Sequence, residues 1–273
     1  MAYGHVGNAA AMFALQRLGA EVWAVNTVQF SNHTGYGDWT GQAFTGEQVG
    51  ALVDGVAARG ALARCDAVLS GYVGDAAVGA AVLDAVERVR RANAGAVYCC
   101  DPVIGDEGRI YVRPGVAEFL RDRAILAADL ATPNQFELEW LTGGACGTIE
   151  AARAAAGGLR ARMRDGAVLV TSLRTSTTPA DSIDLLAADA TGDYLLRTPW
   201  LPVAVSGAGD LIAALFLYSM RRTGRAAAAM EEAASSVHGV LRRTAAAGAG
   251  ELMLVAAQEE MVAPQVRFRA ERC

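Results

Sequence analysis

Short apolar runs of strand length alternate along this chain with longer stretches of helical spacing. That alternation constrains the fold more than any count of residues. "EVWAVNTVQF" (21–30), "DAVLSG" (66–71), "AVYCCDPV" (96–103), "ADLA" (128–131) and "GAVLVTSL" (166–173) read as strands. Residues 8–18 and 75–93 read as helices, and Thr132 and Pro133 start another that ends at Gly143-Gly144. Thr45 with Gln48 three residues on is a capping box. Strand–helix alternation of this kind predicts a parallel sheet covered by helices on its faces. "SIDLLAAD" and "YLLRTPW" predict a late hairpin, and the last third reads as helical, including 251–262. No repeat and no polar linker divides the 273 residues, so 1–273 is expected to be a single α/β domain.

Composition removes several classes of function. A net charge of −5 and a pI near 5.3 argue against nucleic acid or an anionic membrane as partner. No run approaches the roughly 20 apolar residues of a membrane span, and the first residues carry no basic leader. The five cysteines lack metal-ligand spacing and read as reduced thiols of a cytoplasmic protein. All 24 basic residues are arginine. A P-loop lysine and a Schiff-base lysine are therefore both excluded.

In sheets of this type, ligands bind outside the carboxyl ends of the strands. "NTVQFSNHTGYGDWTG", "SGYVGD", "CDPVIGDEG" and "ATPNQFE" all fall there, and "VSGAGDLIAALFLY" (205–218) opens a helix after the hairpin. Asp210 in that helix start could be a plain cap, with Gly207 and Gly209 serving packing. Alternatively, Gly207, Ala208 and Gly209 present backbone N–H groups to an anion, and Asp210 is the base for a substrate hydroxyl. Phosphoryl transfer needs mainly positioning and charge neutralisation, so such a site works without lysine.

"GAGD" before an apolar helix, with "TPNQFE" upstream, resembles the ribokinase superfamily. With "VQFSNHTGYGDWTGQ", "SGYVGD" and "DPVIGDEGRIYV", the chain resembles the pyridoxal kinases within it, from Tyr3 almost to the C-terminus. The resemblance implies a ribokinase-like three-layer sandwich with a mostly parallel central sheet. It implies a homodimer that phosphorylates the 5′-hydroxymethyl group of pyridoxal or related B6 vitamers, with ATP and Mg²⁺. By the same resemblance Asp210 is the catalytic aspartate, framed by the Gly207–Ala208–Gly209 anion hole. Thr34 and Gly35 meet the pyridine substituents, Val28 and Phe30 wall the ring, and Tyr72 lies beside the same pocket. Asp101 and Glu137 serve the metal and the ATP phosphates, and residues 105–111 form a flap over them. Thr132, Thr171, Thr198, Pro199, Trp200 and Leu201 complete the ATP region.

Each residue also has a structural alternative. Thr34 could belong to a turn, Asp101 could cap a strand end, and Glu137 could serve its helix dipole. His5 and His33 read as hydrogen-bonding loop residues, Arg109 as a flap or solvated arginine, and Arg88, Arg90 and Arg91 as a wet helix face. Trp39 and Trp200 read as core or dimer contacts. Two departures from the family stand out. Thr171 occupies a position where some relatives have lysine, and Met1-Ala2 directly precede Tyr3, where the family has a buried strand followed by a serine. An upstream apolar strand ending in serine is the resulting expectation. Rival functions are a hydroxymethylpyrimidine kinase of the same fold and a catalytically impaired B6-vitamer-binding protein.

Overall fold

The computed structural model describes residues 1–164 and 166–273. It opens with α1 (Asn8–Arg17), an antiparallel pair β1 (Val28–Phe30) and β2 (Gly41–Ala43), and α2 (Gly46–Ala57). β3 (Ala67–Ser70), α3 (Ala76–Ala92) and β4 (Val97–Cys100) follow, then a two-stranded hairpin of β5 (Gly105–Asp106) and β6 (Arg109–Ile110). Helical turns α4 (Val116–Phe119) and α5 (Ile125–Ala127) lead to β7 (Leu130–Ala131), α6 (Gln135–Thr142), α7 (Ile149–Arg162) and β8 (Ala167–Leu173). The chain ends with β9 (Ser182–Asp189), β10 (Gly192–Pro199), α8 (Ala208–Thr223), α9 (Ala226–Ala246), α10 (Glu259–Val262) and β11 (Glu271–Arg272).

Seven strands form the central sheet in the order β11-β10-β9-β8-β7-β4-β3. β3, β4, β7 and β8 run parallel, and β9, β10 and β11 extend them antiparallel. Alternate side chains on each strand point to opposite faces. Tyr98, Cys100, Val168, Val170, Leu186 and Ala188 pack with α3, α6 and α7. Cys99, Ala167, Leu169, Leu185 and Ala187 pack with α1, α8 and α9. This is the expected three-layer α/β sandwich, and the capping box at Thr45 and Gln48 is present on both of its bonds.

Several local expectations change in the folded chain. Residues 21–30 do not form one strand: only Val28–Phe30 is laddered, and it pairs with β2 outside the central sheet. β3 is therefore the sheet's edge, and Ala67, Val68 and Leu69 are only half-buried there. Helix appears only over Glu259–Val262 in the stretch 251–262. The cap of α6 is Asn134 rather than Thr132, in a capping box with Glu137. Arg88 and Arg90 do not form a wet face. Arg88 pairs with Asp54 and Asp84, and Arg90 pairs with Asp129, its side chain only 16% exposed. Asp54 lies in α2 and Asp129 just before β7, so helix spacing alone does not reveal these two pairings. The cysteines are free thiols, and no helix among the described residues is long and apolar enough to cross a membrane.

Candidate active site

The carboxyl ends of the parallel strands converge as predicted. β3 leads into Gly71 and Tyr72, β4 into Asp101, β7 into Thr132, and β8 ends beside Thr171. Asp210 comes from the opposite layer, in the first turn of α8. The helix is capped by Gly207 with no side-chain cap bond, so Asp210 is not a plain N-cap. Its Oδ2 instead accepts the backbone N–H of Gly7 at 2.8 Å. Burial raises the Asp210 pKa, against the pull of the Gly7 N–H and of His33.

Gly207 sits at φ +95°, and a Cβ there would stand 1.9 Å from the His5 carbonyl oxygen. No other residue fits that turn. Gly209 differs. It is exposed, and a Cβ there would meet nothing within 4 Å. The fold does not require glycine at 209, which leaves an open backbone surface beside Asp210 at a helix N-terminus.

Asp101 is buried at the end of β4, and its Oδ1 accepts the Thr132 hydroxyl at 2.8 Å. Its pKa is pushed well up by burial, then by Glu137 and Asp210. Gly71 marks the space between the acids: a Cβ built on it lies 3.7 Å from Asp210 Oδ1 and 4.0 Å from Asp101 Oδ2. Glu137 is 4% exposed, with Oε1 accepting Ile104 N–H at 2.9 Å and Oε2 accepting Asn134 N–H at 2.9 Å. Burial pushes it up to about 7, although those backbone donors lower it. Glu137 thus ties the base of the β5–β6 flap to α6. The Tyr111 hydroxyl at the flap's end is raised by desolvation and then by Glu137, Asp101, Asp106 and Asp210.

Three acids gathered in low dielectric repel one another and call for a cation. No set of three or more His, Cys, Asp or Glu among the described residues is arranged to hold a metal alone. Mg²⁺ is commonly bound by one or two carboxylates together with phosphates and water.

The remaining predicted ATP residues form a connected rim. Asn134 bridges to Thr171, and Thr171 donates its N–H to the Pro133 carbonyl at 2.9 Å. A register shift follows in β8, where Ser172 takes φ +53° and bends the strand end at the site. The Arg174 guanidinium lies 5.7 Å from the centroid of the Trp200 ring, which ties residues 198–201 to this rim. Thr198 is buried in β10, while Pro199 and Trp200 are exposed and Leu201 is half-buried.

Val28, Phe30, Tyr72 and the Thr34–Tyr36 turn, the residues expected to face the pyridine ring, lie near one another. A Cβ at Gly74 would lie 3.9 Å from Val28 Cγ1 and 4.0 Å from Tyr72 Cε1, so these two side chains flank one space. Thr27 Oγ1 donates to the Tyr72 carbonyl at 2.7 Å and fixes the two segments together. Phe30 is buried with its ring centroid 4.2 Å from that of Trp39, itself 43% exposed. Thr34 and Gly35 are exposed in the turn. His33 Nδ1 accepts from Gly35 N–H at 3.2 Å and lies 3.3 Å from Ser206 Oγ, which links this turn to the Gly207 turn. His5 departs from expectation, since its ring Nδ1 is buried with no partner.

Residues 11–254 match the phosphomethylpyrimidine kinase family. A pyridoxal kinase PdxY from Granulibacter bethesdensis is 60% identical over 275 residues, covering 99% of this chain and 96% of that protein. The chain belongs to the pyridoxal kinase family. Another pyridoxal kinase PdxY, from Deinococcus radiodurans, is 51% identical, covering 100% of this chain and 93% of its own length. Pyridoxal kinase from Leishmania donovani in complex with ADP and pyridoxamine superposes with a TM-score of 0.91 at 27% identity, covering 99% and 96% of the two chains. The Gly7 amide is the site feature that the motifs of this chain did not reveal. The Gly7 amide is a backbone group, and only proximity in the fold marks it.

Proposed function

We propose that this chain transfers the γ-phosphoryl group of ATP to the 5′-hydroxymethyl group of pyridoxal, giving pyridoxal 5′-phosphate. The observation that carries this reading is Asp210 at the mouth of α8, held by Gly7 and facing Asp101 across Gly71. Its raised pKa suits a base that takes the hydroxyl proton as the new P–O bond forms. The N–H groups of residues 207–209 receive the moving phosphoryl group. Asp101 and Glu137 would hold Mg²⁺ beside the phosphates, where the bound ion would supply neutralisation of the charge on the phosphate oxygens. Thr132 orients Asp101, while Thr171 and residues 198–201 border the nucleotide.

On the other side, Val28, Phe30 and Tyr72 enclose the pyridine ring, and Thr34 with Gly35 reads its substituents. The relatives named pyridoxal kinase favour pyridoxal over hydroxymethylpyrimidine as the substrate. We further propose a cytoplasmic homodimer, which light scattering of the purified chain tests.

The deciding experiment follows pyridoxal 5′-phosphate from pyridoxal and Mg-ATP by chromatography. Asp210→Asn keeps the shape and removes the base, so kcat should fall by about 10²–10⁴-fold while ATP binding by calorimetry persists. Undiminished kcat in that variant removes Asp210 from the role. Tight pyridoxal binding by the unaltered chain, with no turnover at all, would instead identify a vitamer-binding protein.

A further inference from the structure

Glu251 lies in the loop after α9, outside the acid cluster, and no step above uses it. His5 donates its backbone N–H to Glu251 Oε2 at 3.3 Å. Gly4, at φ +86°, passes so close that a Cβ there would stand 2.6 Å from Oε2 and 2.8 Å from Oε1. The carboxylate is thus a floor on which the Gly4–His5 backbone rests. From His5 the chain reaches the reaction centre within two residues. The His5 carbonyl lies against the Gly207 turn, and the Gly7 N–H binds Asp210 at 2.8 Å.

The same carboxylate faces a second segment. Tyr36 ends the single turn that begins at Thr34, and its hydroxyl is raised to about 12 by burial and then by Glu251. Glu251 Oε1 is buried and has no hydrogen-bond partner among the described residues. A buried carboxylate oxygen left without a donor is costly, and native proteins rarely keep one without a reason. Tyr36 is 40% exposed at the end of its turn.

We propose that Glu251 is a positioning residue for the phosphoryl transfer. One carboxylate oxygen holds the His5 backbone over Gly207 and so aims the Gly7 N–H at Asp210. The other faces the Tyr36 hydroxyl at the end of the Thr34 turn. Glu251 touches neither substrate nor metal; it links the vitamer turn to the base. The kinetic consequence rests on the pyridoxal kinase reading, whereas the structural consequence does not.

Two measurements on the full chain test this. Hydrogen–deuterium exchange at the Gly7 amide is compared between the unaltered protein, Glu251→Gln and Glu251→Ala. Exchange there should speed up at least tenfold in Glu251→Ala and less in Glu251→Gln, which keeps one acceptor, with α9 amides unchanged. In steady-state kinetics, Glu251→Ala should lower kcat at least tenfold with the KM for ATP unchanged. Tyr36→Phe should raise the KM for pyridoxal several-fold, and the double variant should lose less than the product of the two effects. If Glu251→Ala melts below the assay temperature, Glu251→Gln serves for both measurements. Unchanged Gly7 exchange in a folded Glu251 variant overturns the proposal, whether or not the unaltered chain phosphorylates pyridoxal. Unaltered kcat and KM in that variant, with the parent chain active, overturn it as well and leave the function standing.

Discussion

Gly7 and Asp210 are 203 residues apart in sequence and joined by a 2.8 Å hydrogen bond from backbone N–H to carboxylate Oδ2. The bond exists because α1 packs on α8, with Ala10 and Ala14 in the same buried cluster as Leu211 and Leu215. It leaves Asp210 Oδ1 facing Gly71 and the site. A single amide thereby orients the Asp210 carboxylate and moderates the effect of burial on its pKa.

The two glycines of the catalytic turn should separate stability from activity. Gly207→Ala places a methyl group 1.9 Å from the His5 oxygen at φ +95°. It should cost at least about 1–3 kcal/mol in denaturant unfolding. Gly209→Ala meets no protein atom. Its melting temperature should stay close to that of the parent while kcat falls, because only the incoming phosphoryl group needs that space.

Asp101 should act through the metal. Asp101→Ala removes a buried carboxylate and frees the Thr132 hydroxyl. The Mg²⁺ concentration for half-maximal rate should rise by on the order of tenfold or more. Pyridoxal affinity, measured by calorimetry, should change little. Loss of pyridoxal binding with an unchanged Mg²⁺ requirement would contradict the assignment.

Thr34 should report on the vitamer. Its side chain is exposed in the turn and takes no part in the core, so Thr34→Val should fold normally. Losing one hydrogen bond costs about 0.5–1.5 kcal/mol, which corresponds to a several-fold weaker affinity. The KM for pyridoxal should rise accordingly and that for ATP should not. Equal pyridoxal binding by both proteins would return Thr34 to a turn role.

His238 should make the fold acid-sensitive. It is 7% exposed, stacked edge-on against Phe268, and both ring nitrogens lack partners. Burial and then Arg242 depress its pKa, with Glu260 opposing. The unfolded chain therefore takes up this proton first as pH falls below about 6.5. Stability present above that pH is lost progressively on descending toward the folded value. His238→Leu should flatten the fall of melting temperature between pH 7 and 5. An identical slope in both proteins would assign the acid sensitivity elsewhere.

By itself the sequence determined the layered α/β plan and its principal caps. Apolar runs of strand length, helical spacing and the Thr45–Gln48 box are local patterns, and local backbone sterics and hydrogen bonds act within a few residues. The motif stretches around Thr34, Tyr72, Asp101, Glu137 and Asp210 were legible for the same reason. Each is continuous in the chain and lies at an element boundary. Tertiary structure decided what those stretches do to one another. The run 21–30 has strand composition, yet a ladder forms only where a partner lies alongside, so all but Val28–Phe30 stays outside the sheets. Arg90 sits at a position that looks solvated until Asp129 arrives just before β7. The Gly7 donor and the Glu251 support left no mark in residue spacing. A backbone amide carries no side-chain signature, and a contact across two hundred residues is fixed only when the helices on that face of the sheet pack together.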